Sequence, residues 1–290
     1  MPSLSKILVP VDFSNRSAGA AHYAEALAAR FGSELVLLHV LPPPHYEFSA
    51  LEVGGSVLNE VFVTRAAQVR QELDSFLRDE LAHLAVRRVI LEGDPARKIV
   101  EFAHQERVNL IVMPTHGYGP FRRFILGSVT AKVLHDADCP VWTGVHLEEA
   151  PPAPAISITH VLAALDLGPQ SSKVLEWASW LAQAFQARLS VIHATPSIEG
   201  RAGEYFDPQW REHLAEEARK EIARLQQQAS SHAEVLIEPG DAPRVVAEAA
   251  EKVKASVLVI GRGSATGIFG RLRTNAYAII RQSPCPVASV

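Results

Sequence analysis

The chain has 290 residues, of which 48% are hydrophobic and 21% are charged, and this balance excludes an intrinsically disordered protein. Its net charge of -4 excludes a broad electrostatic grip on nucleic acid, and two cysteines cannot supply a disulfide framework. No stretch of the sequence approaches the ~20 apolar residues of a membrane span. We therefore expect a cytoplasmic globular protein of about two domains, at roughly 150 residues per domain.

The first half of the sequence contains five short apolar runs. These runs are too short for helices and predict buried strands, at 6–11, 34–41, 86–91, 109–113 and 140–145.

The segments between these runs have the apolar spacing of amphipathic helices. Ser14 or Ser17 can cap the first helix. The second runs from Leu58 to Leu81, where apolar residues recur every three or four positions. Pro95 lies in the first turn of the third helix, and the last covers about 127–137. Strict alternation of strand and helix predicts a parallel, doubly wound sheet.

The second half of the chain repeats the first. Residues 6–42 align without gaps on residues 160–196, and later pairs include Gly93-Asp94 with Gly240-Asp241 and Cys139-Pro140-Val141 with Cys285-Pro286-Val287. The repeat predicts a second set of strands near 160–165, 188–194, 234–238, 256–260 and 286–290. We place domain 1 at residues 1–147, a proline-rich linker at 148–156 and domain 2 at 157–290.

The loop after the fourth strand has the composition of an anion site. Gly117 lies ten residues before Gly127-Ser128, which opens a helix. Glycines let backbone N–H groups approach phosphate oxygens, and the helix start adds its dipole. Asp12, at the end of the first strand, can accept hydrogen bonds from a ribose. The alternative is that the glycines are turn residues and Asp12 caps a helix.

Several motifs together resemble the universal stress protein family. They are V-P-V-D at 9–12, L-L-H-V at 37–40, T-H-G-(x9)-G-S at 115–128 and C-P-V at 139–141. The resemblance covers nearly the whole chain, twice. It implies two tandem α/β domains, Rossmann-like and of the adenine nucleotide alpha hydrolase type, each a five-stranded parallel sheet flanked by helices. Many members bind ATP through a G-x-x-G-(x9)-G-[ST] loop, another branch binds no nucleotide, and no family-wide catalytic activity is implied.

The resemblance also implies which residues contact an adenine nucleotide. In domain 1 they are Val11, Asp12, Val40, Met113, Gly117, Gly127, Ser128 and Val129, and in domain 2 they are Asp166, Gly261, Arg262 and Thr274. Pro114 departs from the motif, since it replaces the first glycine and removes an N–H donor.

Domain 2 departs further from the motif, with Ser264 and Arg273 at glycine positions. Arg262, Arg271 and Arg273 either supply charge to phosphates or are simply solvated.

The histidines show no metal-ligand spacing. His39 and His193 occupy equivalent strand ends, and we interpret them as structural. We expect His116 to be an exposed loop residue.

These observations favour a nucleotide-binding stress or regulatory protein that acts through its conformation or through contacts with an unknown protein partner. The nucleotide is ATP, with Mg²⁺, or a related adenine nucleotide. One alternative is an interaction module that works without nucleotide. Another is a slow ATPase, which is disfavoured because no second carboxylate lies near the loop. We expect the two domains to pair through their last strands, with a homodimer as a further assembly, and we expect no nucleic acid or membrane partner.

Overall fold

The computed structural model describes residues 3–42, 55–116, 126–144, 147, 150–196, 208–262 and 274–290, with all their side chains except those of 55–62, 208 and 274. The chain divides into two compact units. One contains Ser3–Trp142 and Leu147–Ile156, and the other contains Thr143–His146 and Ser157–Val290.

The described part of the first repeat is built on five parallel strands. They are β1 (Lys6–Pro10), β2 (Glu34–Leu41), β3 (Val86–Glu92), β4 (Leu110–Val112) and β5 (Val141–Thr143), in the order β3-β2-β1-β4-β5. Ile7, Leu8 and Val9 of the central strand are fully buried, as the short apolar run predicts. The strand order reverses between β2-β1 and β4, so the carboxyl ends of these three strands form the switch point of the sheet.

In the described ranges, four helices flank this sheet: α1 (Asn15–Phe31), α2 (Gly55–Ser75), α3 (Pro95–Gln105) and α4 (Ser128–Asp136). Ser14 caps α1 by accepting a hydrogen bond from the Ser17 N–H, and Gly32 ends the helix in the left-handed conformation (φ 66°).

The second helix ends earlier than its apolar spacing predicts. It stops at Ser75, not Leu81, and Leu77 adopts a left-handed φ of 48°. The Arg88 guanidinium from β3 donates hydrogen bonds to the carbonyl oxygens of Leu73 and Phe76 at 2.9 and 3.0 Å. These bonds satisfy carbonyl groups that further helical turns would have used, so a residue distant in sequence helps to end the helix.

The second repeat has the same topology. Its strands are β6 (His160–Ala164), β7 (Arg188–Thr195), β8 (Glu234–Pro239), β9 (Val257–Ile260) and β10 (Val287–Ser289), in the order β8-β7-β6-β9-β10. Its helices are α5 (Ser171–Phe185), α6 (Pro208–Gln228), α7 (Ala242–Val253) and α8 (Thr274–Gln282). None of the helices in the described ranges is long and apolar enough to cross a membrane.

The proline-rich segment packs on the first repeat. A 3-10 turn at Ala153–Ala155 contacts α1, and Gly19 of α1 lies against Leu147. A Cβ at position 19 would lie 1.5 Å from the Leu147 carbonyl oxygen, so only glycine allows this approach.

Candidate functional site

A cavity of about 210 Å³ lies at the switch point of the first repeat, and we call it the first cavity. Its walls come from the carboxyl ends of β1, β2 and β4 and from the first turns of α3 and α4. The apolar lining residues are Pro10, Val11, Leu38, Val40, Pro95, Ile99, Met113, Pro114 and Val129, and the polar ones are Asp12, His39, His116 and Thr130. Five of the residues proposed from sequence therefore meet around one space: Val11, Asp12, Val40, Met113 and Val129.

Asp12 shapes the turn between β1 and α1. Its Oδ1 accepts hydrogen bonds from the Ser14 N–H at 3.1 Å and from the Ser14 hydroxyl, while Phe13 between them has φ 63°. Ser14, and not Asp12, caps α1, so the interpretation of Asp12 as the helix cap is wrong. The hydrogen bonds described for this carboxylate all fall on Oδ1, so Oδ2 has no partner within the described ranges, and Asp12 is one of the residues that line the first cavity.

His39 holds the ends of β1 and β2 together. Its Nδ1 lies 2.8 Å from the Val11 carbonyl oxygen, and the Phe13 ring stacks on the imidazole at 4.7 Å. Burial lowers the pKa of His39, and the neutral ring donates its Nδ1–H to that carbonyl. The counterpart His193 lies 2.8 Å from the Leu165 carbonyl oxygen. This geometry supports the structural interpretation of both histidines.

The backbone of Val40 faces the cavity because β2 is longer than β1. The last hydrogen bond between the two strands runs from the Val11 N–H to the Leu38 carbonyl oxygen at 2.9 Å. In a parallel strand, alternate residues direct their N–H and C=O groups to the same neighbour. Val40, two residues beyond Leu38, therefore directs its backbone groups to the side where β1 has ended.

The turn after the third strand supplies a wall that sequence reasoning missed. Gly93 has φ 137°, and Asp94 caps α3 by accepting from the Arg97 N–H at 2.8 Å. This cap points the first turn of α3 at the cavity, where Pro95 and Ile99 line it. The signal was present in the Gly-Asp-Pro sequence, which marks a helix start after a strand end.

The segment after β4 folds back against the start of α4. The Gly127 N–H donates to the Thr115 carbonyl oxygen at 2.8 Å, and the Thr130 hydroxyl donates to the Pro114 carbonyl oxygen at 3.0 Å. His116 is only 8% exposed, and its Nδ1 lies 2.7 Å from the Thr115 hydroxyl. The expectation of an exposed His116 is therefore wrong, because these bonds draw it into the cavity wall.

Two further predicted ligands lie at the start of α4. Gly127 is the N-cap residue, with an ordinary φ of -61°, and a Cβ there would lie 3.3 Å from the Thr115 carbonyl oxygen. Glycine at position 127 therefore allows the backbone to approach Thr115 closely and is not required for an unusual φ. Ser128 is exposed in the first turn of α4. Gly117 lies outside the described residues.

A second cavity, of about 230 Å³, occupies the equivalent position in the second repeat. Asp166, His193 and Gly261 line it, as do Asn275 and Ala276 at the start of α8. The Asp166 Oδ1 accepts from the Gly168 N–H at 2.8 Å, which is the same turn as at Asp12.

Two residues predicted to bind nucleotide in the second repeat, Arg262 and Thr274, are not seen at the second cavity. Arg262 is 3% exposed and is not among the residues that line the second cavity, so its interpretation as simply solvated is wrong. The backbone N–H of Arg262 donates to the Val290 carbonyl oxygen at 3.2 Å. Thr274 begins α8, and its side chain lies outside the described residues, as do Ser264, Arg271 and Arg273.

The duplicated fold agrees with comparisons to known proteins. The model of the universal stress protein family matches residues 4–143 and again residues 157–290, which together make up most of the chain.

The chain belongs to the universal stress protein family.

Individual relatives give the same result. A universal stress protein of Thermus aquaticus is 35% identical over 140 residues, which span 47% of this chain and 94% of that protein. The universal stress protein MJ0531 of Methanocaldococcus jannaschii is 30% identical over 136 residues, which span 47% of this chain and 79% of that protein. The crystal structure of a universal stress protein from Archaeoglobus fulgidus covers 99% of this chain and 98% of its own, with 21% identity and a TM-score of 0.69. That likeness shows the shared fold.

Side chains that could bind a metal ion are not clustered in the described part of this universal stress protein. In the described part of the chain, no group of three or more His, Cys, Asp and Glu side chains is placed to hold one. Asp12 is the one carboxylate among the residues that line the first cavity, and its Oδ1 is already engaged by Ser14.

Proposed function

We propose that this universal stress protein binds an adenine nucleotide in its first cavity and acts in stress response through its conformation or through contacts with a protein partner. The observation that supports the proposal is the convergence of Val11, Asp12, Val40, Met113 and Val129 on one cavity at the switch point. Open α/β sheets bind their ligands at this place.

The apolar part of the cavity fits a purine base. Its volume of about 210 Å³ is below the roughly 300–1,000 Å³ of drug-sized ligand sites. The described walls therefore suit a base and sugar, with phosphates extending beyond them. Val40 offers backbone N–H and C=O groups to the edge of the base, and Val11 and Met113 offer apolar surface to its faces.

The polar groups of the cavity suit the sugar and the phosphates. Asp12 Oδ2 can accept hydrogen bonds from the ribose hydroxyls, and a charged acceptor strengthens such bonds. The start of α4 has no side-chain cap, so its first N–H groups and the Ser128 hydroxyl remain for phosphate oxygens. Pro114 supplies no N–H, which removes one donor from the family pattern. Mg²⁺, if carried with ATP, would be held chiefly by the phosphates, since Asp12 is the one carboxylate in the described lining of the first cavity and its second oxygen is proposed to contact the ribose.

The second cavity supports weaker binding. Asp166 and the turn around it are retained, but Ser264 and Arg273 stand where the motif has glycines. Bulkier residues at those positions keep backbone donors away from phosphates. We propose the first repeat as the main nucleotide site.

An interaction module without nucleotide is the second candidate function. Pro114 and Arg273 favour it, because each removes a feature of the phosphate loop. A slow ATPase remains the least favoured alternative, since hydrolysis needs a positioned water and usually a metal held by protein carboxylates.

Release of bound ligand separates these functions. The protein is purified without added nucleotide and heated, and the supernatant is run on an anion-exchange column beside ATP, ADP, AMP and cAMP standards. Stripped protein is then titrated with ATP by calorimetry. We expect an adenine nucleotide in the supernatant and saturable ATP binding. Protein that releases none and gives no heat with ATP would favour the interaction module.

A further inference from the structure

Phe13, in the turn between β1 and α1, has a backbone conformation that aromatic residues rarely adopt. Its φ is 63°, in the left-handed region, where a residue with a Cβ is strained and glycine is not. Residues held in this way cluster beside binding sites, because the surrounding structure must fix them. The chain therefore keeps an aromatic side chain at a position where glycine would fit without strain.

The Phe13 ring joins the turn to two other elements of the first repeat. It stacks on the imidazole of His39, with the ring centroids 4.7 Å apart and the planes inclined by 18°. It also meets the ring of Phe76 edge to face, with the centroids 5.7 Å apart. Both arrangements are favourable for aromatic pairs. Since His39 lies near the end of β2 and Phe76 directly follows α2, the ring fixes the turn against both elements.

These contacts reach the first cavity through the neighbours of Phe13. Phe13 is not among the described residues that line the cavity, but Val11, Asp12 and His39 are. The Asp12 carboxylate is bonded to Ser14, so the turn closes around Phe13. His39 in turn holds the Val11 carbonyl oxygen at 2.8 Å. A shift of the ring would therefore move the two residues that are proposed to contact the ribose and the base.

The second repeat has the same turn without the aromatic stack. Leu167 stands at the position equivalent to Phe13 and has a φ of 56°, and Asp166 closes the turn on Gly168. His193 keeps the position of His39, but leucine has no ring to stack on it. The left-handed φ is thus common to both turns, whereas the stack belongs to the first repeat, which is the proposed main site.

We propose that Phe13 is a positioning residue of the first cavity, whose ring, stacked on His39, holds Asp12 and Val11 in the arrangement that binds an adenine nucleotide. This inference rests on the nucleotide function proposed above. A carboxylate that is held in place before the ligand arrives loses less freedom on binding, so the stack contributes to affinity without touching the ligand.

Calorimetric titration of ATP into Phe13 variants tests this role. Phe13→Gly removes the ring and the strained φ together, and it should raise the Kd for ATP about five- to tenfold. Phe13→Tyr keeps the ring and should keep the parent Kd. Leu167→Gly is the matched control, because it relieves the same φ in the second repeat and should leave the Kd unchanged. Phe13→Leu, which gives the turn the residue of the second repeat, should also raise the Kd and serves if the glycine variant does not fold.

A double-mutant cycle separates positioning from a general effect on folding. If the ring acts by holding Asp12, then Asp12→Asn should raise the Kd much less in the Phe13→Gly background than in the parent. Two independent effects on the Kd would instead multiply. Thermal melts of all variants show whether each is folded at the temperature of the titration.

The titration of His39 gives a readout that needs no nucleotide. Burial lowers the pKa of His39, and removal of the stacked ring exposes the imidazole to water. NMR of the nucleotide-free protein should therefore show a higher His39 pKa in Phe13→Gly than in the parent.

The outcomes distinguish the positioning role from the nucleotide function. A parent protein that gives no heat with ATP would overturn the nucleotide function and this role with it. If the parent binds ATP, the positioning role alone is overturned by an unchanged Kd in Phe13→Gly, by effects that multiply in the cycle, or by an unchanged His39 titration. It is also overturned by a rise in Kd that Phe13→Tyr shares or that Leu167→Gly matches.

Discussion

Replacing Asp12 by asparagine separates the role of this residue in the turn from its proposed role in binding. In the structure its Oδ1 accepts from the N–H and the hydroxyl of Ser14. The carbonyl oxygen of asparagine can accept the same two bonds, and Ser14 still caps α1. We therefore expect Asp12→Asn to leave the melting temperature nearly unchanged.

The same substitution changes the second oxygen into an amide NH₂ group, which donates and cannot accept. A hydrogen bond to a charged group contributes about 1.5–3 kcal/mol, and the neutral bond in which a ribose hydroxyl accepts from this NH₂ group instead contributes about 0.5–1.5 kcal/mol. Losing the charged acceptor for the ribose should therefore cost about 1.4 kcal/mol, which raises the Kd for ATP about tenfold.

Calorimetric titration of ATP into the parent, Asp12→Asn and Asp166→Asn measures this effect, with thermal melts as the control for folding. Asp166→Asn is the matched variant, because Asp166 forms the same turn in a repeat whose phosphate loop is more degraded. It should change ATP affinity less. Unchanged affinity in the Asp12 variant would refute the ribose contact and return this carboxylate to its part in the turn.

Four further predictions follow from the fold and the site. Gly127→Val should remove most ATP binding, because even a Cβ at this position would lie 3.3 Å from the Thr115 carbonyl oxygen. If calorimetric titration shows full ATP binding in this variant and loss of binding in Arg273→Ala, the nucleotide site lies in the second repeat. Gly19→Ala should lower the free energy of unfolding by about 1–3 kcal/mol, measured by urea titration, because its Cβ would overlap the Leu147 carbonyl. Burial lowers the pKa of His160, so on acidification the unfolded chain protonates this histidine before the folded chain does. The free energy of unfolding should therefore be at its full value above about pH 6.5 and should fall below that pH, by at most about 1.4 kcal/mol per pH unit. His160→Gln should flatten this pH dependence, as measured by urea titration. The last strands of the two repeats should pair within one chain, and cysteines introduced into both should cross-link under mild oxidation; failure of every tested pair would contradict the pairing.

The parallel, doubly wound arrangement followed from the sequence because its signals are local, whereas no pattern in the sequence predicted the strand order. Runs such as residues 6–11 and 34–41 are apolar throughout, as strands covered on both faces must be, and the internal repeat doubled the evidence. The carboxyl ends of parallel strands meet at one edge of a sheet, so the convergence of Val11, Val40 and Met113 on one cavity was also predictable.

Other features depend on contacts that no local pattern records. The early end of α2 involves Arg88, which reaches back from β3 to the carbonyls of Leu73 and Phe76. The burial of His116 depends on backbone and side-chain hydrogen bonds between residues 114–116 and the start of α4. Apolar spacing and loop composition predict neither, because both come from tertiary hydrogen bonds.

A crystal structure of the protein grown with ATP tests the nucleotide proposal most directly. We expect one nucleotide in the first cavity, with the adenine edge on the Val40 backbone, the ribose hydroxyls on Asp12 Oδ2 and the phosphates at the start of α4. A structure that holds ATP only in the second repeat, or one in which the first cavity is empty at saturating ATP, would contradict it.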